Sequence, residues 1–200
     1  MKYKSCTDPQ VFGFGIFIPD KFYPYILKYK KQVMPYVDWF VEKEDNPKRN
    51  LMRPHITLKY LGYHKKYTNQ QIKKLIPGLK EVCKKFLPLK IQVKGITIGT
   101  KYSQVGVLLN FKPLIKIRKF HRELIKKMKN KLDIFKNMDG KNFNPHIVLG
   151  SGEKTPENVR KLKEIARKSK KDKLINIKMT AAYIYFKGIG PKRIYKKDEN

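Results

Sequence analysis

Pro54, His55, Ile56, Thr57, Leu58 returns 91 residues later as Pro145, His146, Ile147, Val148, Leu149. The chain has four histidines, and two of them occupy the same place in these matching pentapeptides. A duplicated apolar strand with an imidazole at its start implies a two-lobed fold in which each lobe supplies one histidine to a shared cleft.

The pleat explains how such a segment divides its side chains. Residues i and i+2 of a β-strand share a face, and the residue between them points to the other. On strict alternation His55, Thr57 and Lys59 share one face, while Ile56, Leu58 and Tyr60 share the opposite one. His146 and Val148 form the corresponding pair in the second copy, with Ile147 and Leu149 left for the core. Each proline precedes its histidine, where it can start a strand or sit at an edge without removing a ladder hydrogen bond.

The remaining histidines read differently. His121 falls on an apolar helical stripe and is expected to be a packed core residue, and His64 falls in a loop after Gly62.

Composition limits what the cleft can serve. The 200 residues, 40% of them hydrophobic, suit one domain of residues 1–200 with a sizeable core shared by two lobes. A formal charge of +31, from 47 basic and 16 acidic residues, favours a polyanionic partner such as RNA, an oligonucleotide or a phosphorylated nucleotide. Only seven of the basic residues are arginine. A lysine excess spread along the chain also fits AT-rich coding or life at high temperature.

Cys6 and Cys83 form no C-x-x-C pair, so neither a disulfide framework nor a zinc site is indicated. The apolar run Val11–Ile18 is too short to span a membrane and ends at Pro19 without a cleavage signature. A cytoplasmic, monomeric protein with no cofactor, no metal and no membrane partner is expected.

Along the chain, Val11–Ile18 alternates, with Gly13 and Gly15 on one face of a strand that lets a partner approach its backbone. The segment 20–34 is helical after Pro24, Val37–Glu42 is a short strand holding Trp39, and 44–53 is a polar loop. Ile72, Leu75, Ile76, Leu79, Val82, Cys83 and Phe86 repeat at helical spacing over 70–86, with a kink or a break expected at Pro77 and Gly78. Residues 90–98 and 104–111 form a hairpin, and 113–132 a helix. Residues 142–149 make the second histidine strand, which Gly150 and Gly152 end. Thr155 and Pro156 then start a helix, before a final strand over 174–186 and a turn at Gly188, Gly190 and Pro191. This order predicts an α+β fold of two pseudo-symmetric lobes, with antiparallel sheets flanking a central cleft and helices on the outside.

With these residues in place, the chain resembles the 2H phosphoesterases, in particular the 2′-5′ RNA ligase-like and cyclic phosphodiesterase branch. That family carries two H-x-T or H-x-S motifs on strands. The stretch PHITLKYLG, residues 54–62, fits the first motif through Gly62, and Trp39 shortly upstream is similar to that branch too. Val148 departs from the pattern, because it stands where the family has Thr or Ser.

The resemblance implies an enzyme that cleaves a 2′,3′-cyclic phosphate or a 2′-5′ linkage in RNA without a metal. His55 and His146 would be the catalytic acid and base. Thr57 would donate to the phosphate as charge develops. Lys59 and Ser151 are the candidates to supply the contact that Val148 lacks, and His146 is the favoured base for hydrolysis. Two other functions fit the same motifs. One is a hydrolase of cyclic or 2′-5′-linked nucleotide signals. The other is an RNA- or nucleotide-binding module in which the degenerate second motif leaves little catalysis.

Overall fold

The structure, a computed structural model, describes residues 11–42, 53–63, 69–129, 131, 139–186 and 190–197. His64, Cys6 and most of the loop expected over 44–53 lie outside them.

Two antiparallel sheets organise these residues. The first has four strands in the order β3-β1-β8-β9, where β1 is Val11–Phe17, β3 His55–Tyr63, β8 Ala181–Phe186 and β9 Gly190–Lys196. The second has five strands in the order β2-β6-β5-β4-β7, built from Trp39–Phe40, Val148–Glu153, Gln104–Lys112, Leu89–Lys101 and Ile175–Met179 respectively. The fold is α+β with paired antiparallel sheets, as the element order predicts.

The lobes are not the two halves of the sequence, however. The C-terminal β8 and β9 complete the sheet of the first histidine, and the early β2 pairs with β6 in the sheet of the second. The stretch expected as a single strand over 174–186 is divided at Thr180 into β7 and β8, which belong to different sheets. Pro191, expected in a turn, lies inside β9.

Among the described residues there are five α-helices: α1 Tyr23–Leu27, α2 Lys30–Val33, α3 Asn69–Phe86, α4 Leu114–Met128 and α5 Pro156–Ser169. The amphipathic pattern decides which face each buries. In α4, Ile117, Phe120, His121, Leu124 and Met128 are buried, one stripe at helical spacing. Helix α3 buries Ile72, Leu75, Leu79, Val82 and Cys83. It remains one helix through Pro77, which sits on its exposed side.

These two helices pack on each other, α4 on β3 and α3 on β9, so they cover one face of the four-stranded sheet. Against them lie Phe14, Ile16, Ile56, Leu58, Leu61, Ala182 and Ile184. Helix α5 covers β4, and its start obeys the expected chemistry, with Thr155 Oγ1 accepting from the Asn158 amide at 3.1 Å. The alternate residues of both sheets are left to face the site.

Candidate active site

Strand β3 begins on His55, which pairs with Phe17, while Ile56 pairs with Ile16 and Thr57 with Gly15. The register then slips: Lys59 pairs with Phe14, leaving Leu58 as an extra residue. Strand β6 repeats the device against β5. Val148 pairs with Leu108 and Gly150 with Val107, so Leu149 is the extra residue. Both bulges fall at the fifth residue of the pentapeptide, and a bulge inverts the side-chain alternation beyond it.

That inversion decides the fate of two candidate residues. Lys59 does not share the open face of His55 and Thr57. It is 3% exposed, and its Nζ lies 2.7 Å from Asp139 Oδ2 and donates to the Tyr60 carbonyl at 2.6 Å. Tyr60, expected to point into the core, is partly exposed and in phase with Thr57 instead. In β6 the bulge brings Ser151 into phase with Val148. Ser151 is therefore a half-buried strand residue between Trp39 and Gly106, not a residue beyond the strand's end. Gly150 is required there, because a Cβ on it would sit 2.6 Å from the Trp39 carbonyl oxygen.

The two imidazoles are held in the same way. His55 Nδ1 is 2.8 Å from the Arg53 carbonyl, and His146 Nδ1 is 2.8 Å from the Asn144 carbonyl. A carbonyl only accepts, so Nδ1 carries the hydrogen in each ring and the neutral imidazole keeps its lone pair on Nε2. Each motif thus orients its histidine through the backbone two residues upstream.

The two environments differ. His55 is half-buried beside the Phe17 ring, at 5.5 Å between centroids, whereas His146 is exposed. Burial lowers the His55 pKa, the Arg53 hydrogen bond opposes it and the neighbouring His146 ring adds to the lowering, with a net value of about 4. The two rings therefore lie within electrostatic reach of each other, and His55 is neutral at physiological pH.

Behind the first motif lies a buried polar cluster that the sequence pattern does not disclose. His121, on α4, donates from Nδ1 to the Leu58 carbonyl at 2.6 Å and accepts the Gly140 amide on Nε2 at 3.1 Å. Its ring stacks on Phe143 at 3.8 Å, and Asp139 Oδ1 lies 3.8 Å from Nε2. His121 is thus the packed core residue its helical stripe predicts. The Leu58 carbonyl belongs to the bulge, so the cluster fastens the bulge of β3 to the segment 139–143 that leads into His146.

The second lobe is apolar where the first is not. Val148 stands opposite Leu108, whereas Thr57 stands opposite Gly15. Among the described residues, no three His, Cys, Asp or Glu side chains form a group able to hold a metal ion. Among the same residues, no helix is long and apolar enough to cross a membrane.

The sequence model of the 2′-5′ RNA ligase superfamily matches residues 28–185, a span that includes both histidine motifs. The chain belongs to this superfamily. Solved structures agree on the fold. E. coli LigT complexed with 3′-AMP superposes with a TM-score of 0.55 at 16% identity, covering 89% of this chain and 88% of LigT. TT0787 of Thermus thermophilus gives 0.53 at 14% identity, covering 92% of this chain and 93% of the other. Kluyveromyces marxianus Usb1 with uridine monophosphate gives 0.51 at 8% identity over 94% of this chain and 99% of Usb1. No curated protein matches the chain in sequence. Membership of the 2′-5′ RNA ligase superfamily supports a phosphoesterase-type activity on RNA.

Proposed function

We propose that this superfamily member hydrolyses a phosphodiester at an RNA or oligonucleotide end, either a 2′,3′-cyclic phosphate or a 2′-5′ linkage, by acid–base catalysis between His55 and His146. The observation that carries this reading is the matched presentation of the two rings, each with Nδ1–H donated to the carbonyl two residues upstream and Nε2 as the reacting nitrogen. Neighbours of the same fold are complexes with nucleotides, 3′-AMP in LigT and uridine monophosphate in Usb1, which supports a ligand of that chemistry.

In hydrolysis, His55 Nε2 takes the proton of the attacking water as its oxygen bonds to phosphorus. His146 Nε2 gives a proton to the ribose oxygen as the P–O bond to it breaks. His55 is assigned as the base because its burial keeps it neutral. This reverses the choice of His146 that the resemblance favoured. The negative charge of the bound phosphodiester favours the protonated form of either ring, so binding substrate strengthens His55 as a base. Thr57 donates to one non-bridging oxygen from the first lobe, and Ser151, in phase with Val148, is the hydroxyl nearest in sequence to do so from the second. Lys59 has no part in this scheme, since its ammonium is committed to Asp139.

The test is turnover of an RNA oligonucleotide ending in 2′,3′-cyclic phosphate, measured with a chelator present. Activity is expected in the parent protein and at least about 10²-fold less in His55→Ala or His146→Ala. Unchanged activity in the double variant overturns the proposal. Salt-sensitive RNA binding without turnover would favour the binding-module reading, which Val148 and Leu108 support by removing a donor from the second lobe.

A further inference from the structure

The open face of the four-stranded sheet does not end at the histidine strand. Residues directly opposite one another in antiparallel strands project to the same face. The register therefore sets Thr57 on β3, Gly15 on β1, Tyr183 on β8 and Arg193 on β9 in one continuous row. The neighbouring row starts with His55 opposite Phe17, and two residues along from Tyr183, Ala181 lies opposite Lys196. Tyr183 is half-buried and meets the Phe17 ring edge-on at 4.5 Å, and Phe17 in turn contacts His55. Arg193 and Lys196 are exposed.

From the histidine outwards the face thus presents a hydroxyl, a flat glycine floor, an aromatic ring and two cations. Lys192, one residue away, lies opposite the buried Ile184 and so faces the other way, towards the helices.

We propose that this face is a track for single-stranded RNA, on which a base stacks against Tyr183 and the chain's phosphates lie against Arg193 and Lys196. Aromatic platforms interleaved with cations hold single strands without reading sequence. Three inter-strand spacings separate Thr57 from Arg193, about 14 Å, a reach longer than one nucleotide. The inference rests on the proposed reaction at His55 and His146, and it selects an oligonucleotide over a mononucleotide-sized cyclic substrate.

Two measurements test it, one of them independent of turnover. Fluorescence anisotropy with a short fluorescein-labelled single-stranded RNA reads binding across a salt series. Replacing Arg193 and Lys196 by Ala together should weaken binding at least about tenfold and reduce the slope of log Kd against log salt by about 1.4, two phosphate contacts on a single strand. Tyr183→Leu should weaken binding at least about fivefold. Arg193→Lys should retain most of the salt slope, and Lys192→Ala, on the opposite face, should leave binding unchanged.

In turnover, the loss of kcat/KM in the Arg193, Lys196 double variant should be at least about tenfold greater on an oligonucleotide than on 2′,3′-cyclic AMP. Equal losses on both substrates, equal effects of Lys192→Ala and Arg193→Ala, or unaltered RNA binding would each overturn the track. Face-specific binding by a parent protein that turns nothing over would sink the proposed reaction and leave the track standing. Turnover that is indifferent to all three track residues would do the reverse.

Discussion

Lys59 Nζ lies 2.7 Å from Asp139 Oδ2, and this buried pair ties the strand of the first histidine to the segment that leads into the second. Both side chains are almost wholly removed from solvent. Losing one partner therefore leaves an uncompensated charge in the interior. Lys59→Met is expected to destabilise the fold by about 3–5 kcal/mol, and Lys59→Met combined with Asp139→Leu to recover most of that loss. Urea denaturation of the single and double variants measures both. A loss below about 1 kcal/mol in Lys59→Met would mean that the pair is solvated.

The depressed pKa of His55 sets the acid side of the rate profile. For the free enzyme, kcat/KM should rise with pH through about 4 as His55 loses its proton and becomes a base. In kcat the same limb should lie higher, because bound phosphodiester favours the protonated ring. An acid limb of kcat/KM at the ordinary histidine value of about 6.5 would remove His55 from the role of base.

Stability follows pH with a definite sign. Burial lowers the pKa values of both His55 and His121 below the unfolded value, in His55 to about 4. Between about 6.5 and 4 the unfolded chain therefore binds protons that the folded chain refuses. Stability from these two residues is full above pH 6.5 and falls as pH drops below it, for His55 down to about pH 4. Thermal melts over that range should show Tm falling with pH, and a flat Tm would contradict the burial of both rings.

The second lobe offers a gain-of-function test. Val148→Thr restores a hydroxyl beside His146 in nearly the same shape and should raise kcat at least about tenfold. Ser151→Ala should lower it by about 10²-fold if its hydroxyl is the phosphate donor. Steady-state kinetics on a cyclic-phosphate RNA end checks both. No loss in Ser151→Ala would remove Ser151 from the site.

Gly150 is the tightest point of the second bulge. A Cβ there would sit 2.6 Å from the Trp39 carbonyl oxygen and 3.2 Å from Phe40 Cδ2. Gly150→Ala should therefore push β2 away from β6, at a cost of about 1–3 kcal/mol in stability. It should also reduce kcat by moving the neighbouring Ser151. Tm and kcat measured on the same preparation test the coupling.

Much of this architecture is legible in the order of the amino acids alone. The two pentapeptides announced two histidine motifs: His55 opens β3 as expected, whereas His146 stands two residues before β6, which runs on through Gly150 and Gly152 instead of ending at them. The helical spacing of Ile117, His121, Leu124 and Met128 placed His121 inside. Ile56 and Leu58, like Ile147 and Leu149, are buried as alternation requires. These features depend on neighbours within a turn or a pleat, so local sequence carries them.

The rest depended on partners distant in the chain. A bulge is a mismatch between two strands, and neither strand's own residues record it. Strict alternation therefore put Lys59 beside Thr57, whereas the slip against Phe14 turned it towards Asp139, 80 residues on. The same cause moved Tyr60 and Ser151 onto the open faces. Nor could the chain's order show that β8 and β9 would close the first histidine's sheet, which is what sets Tyr183 and Arg193 in line with Thr57.

The sequence by itself determined that there would be two histidine motifs, that Ile56, Leu58, Ile147 and Leu149 would be buried, and that the second motif would lack a hydroxyl at Val148. Only the tertiary structure decided that His55 is the more buried ring, with its pKa lowered, and which side chains share its face. Desolvation and strand register are properties of the assembled sheets, and they come into being only when residues far apart in the chain are packed together.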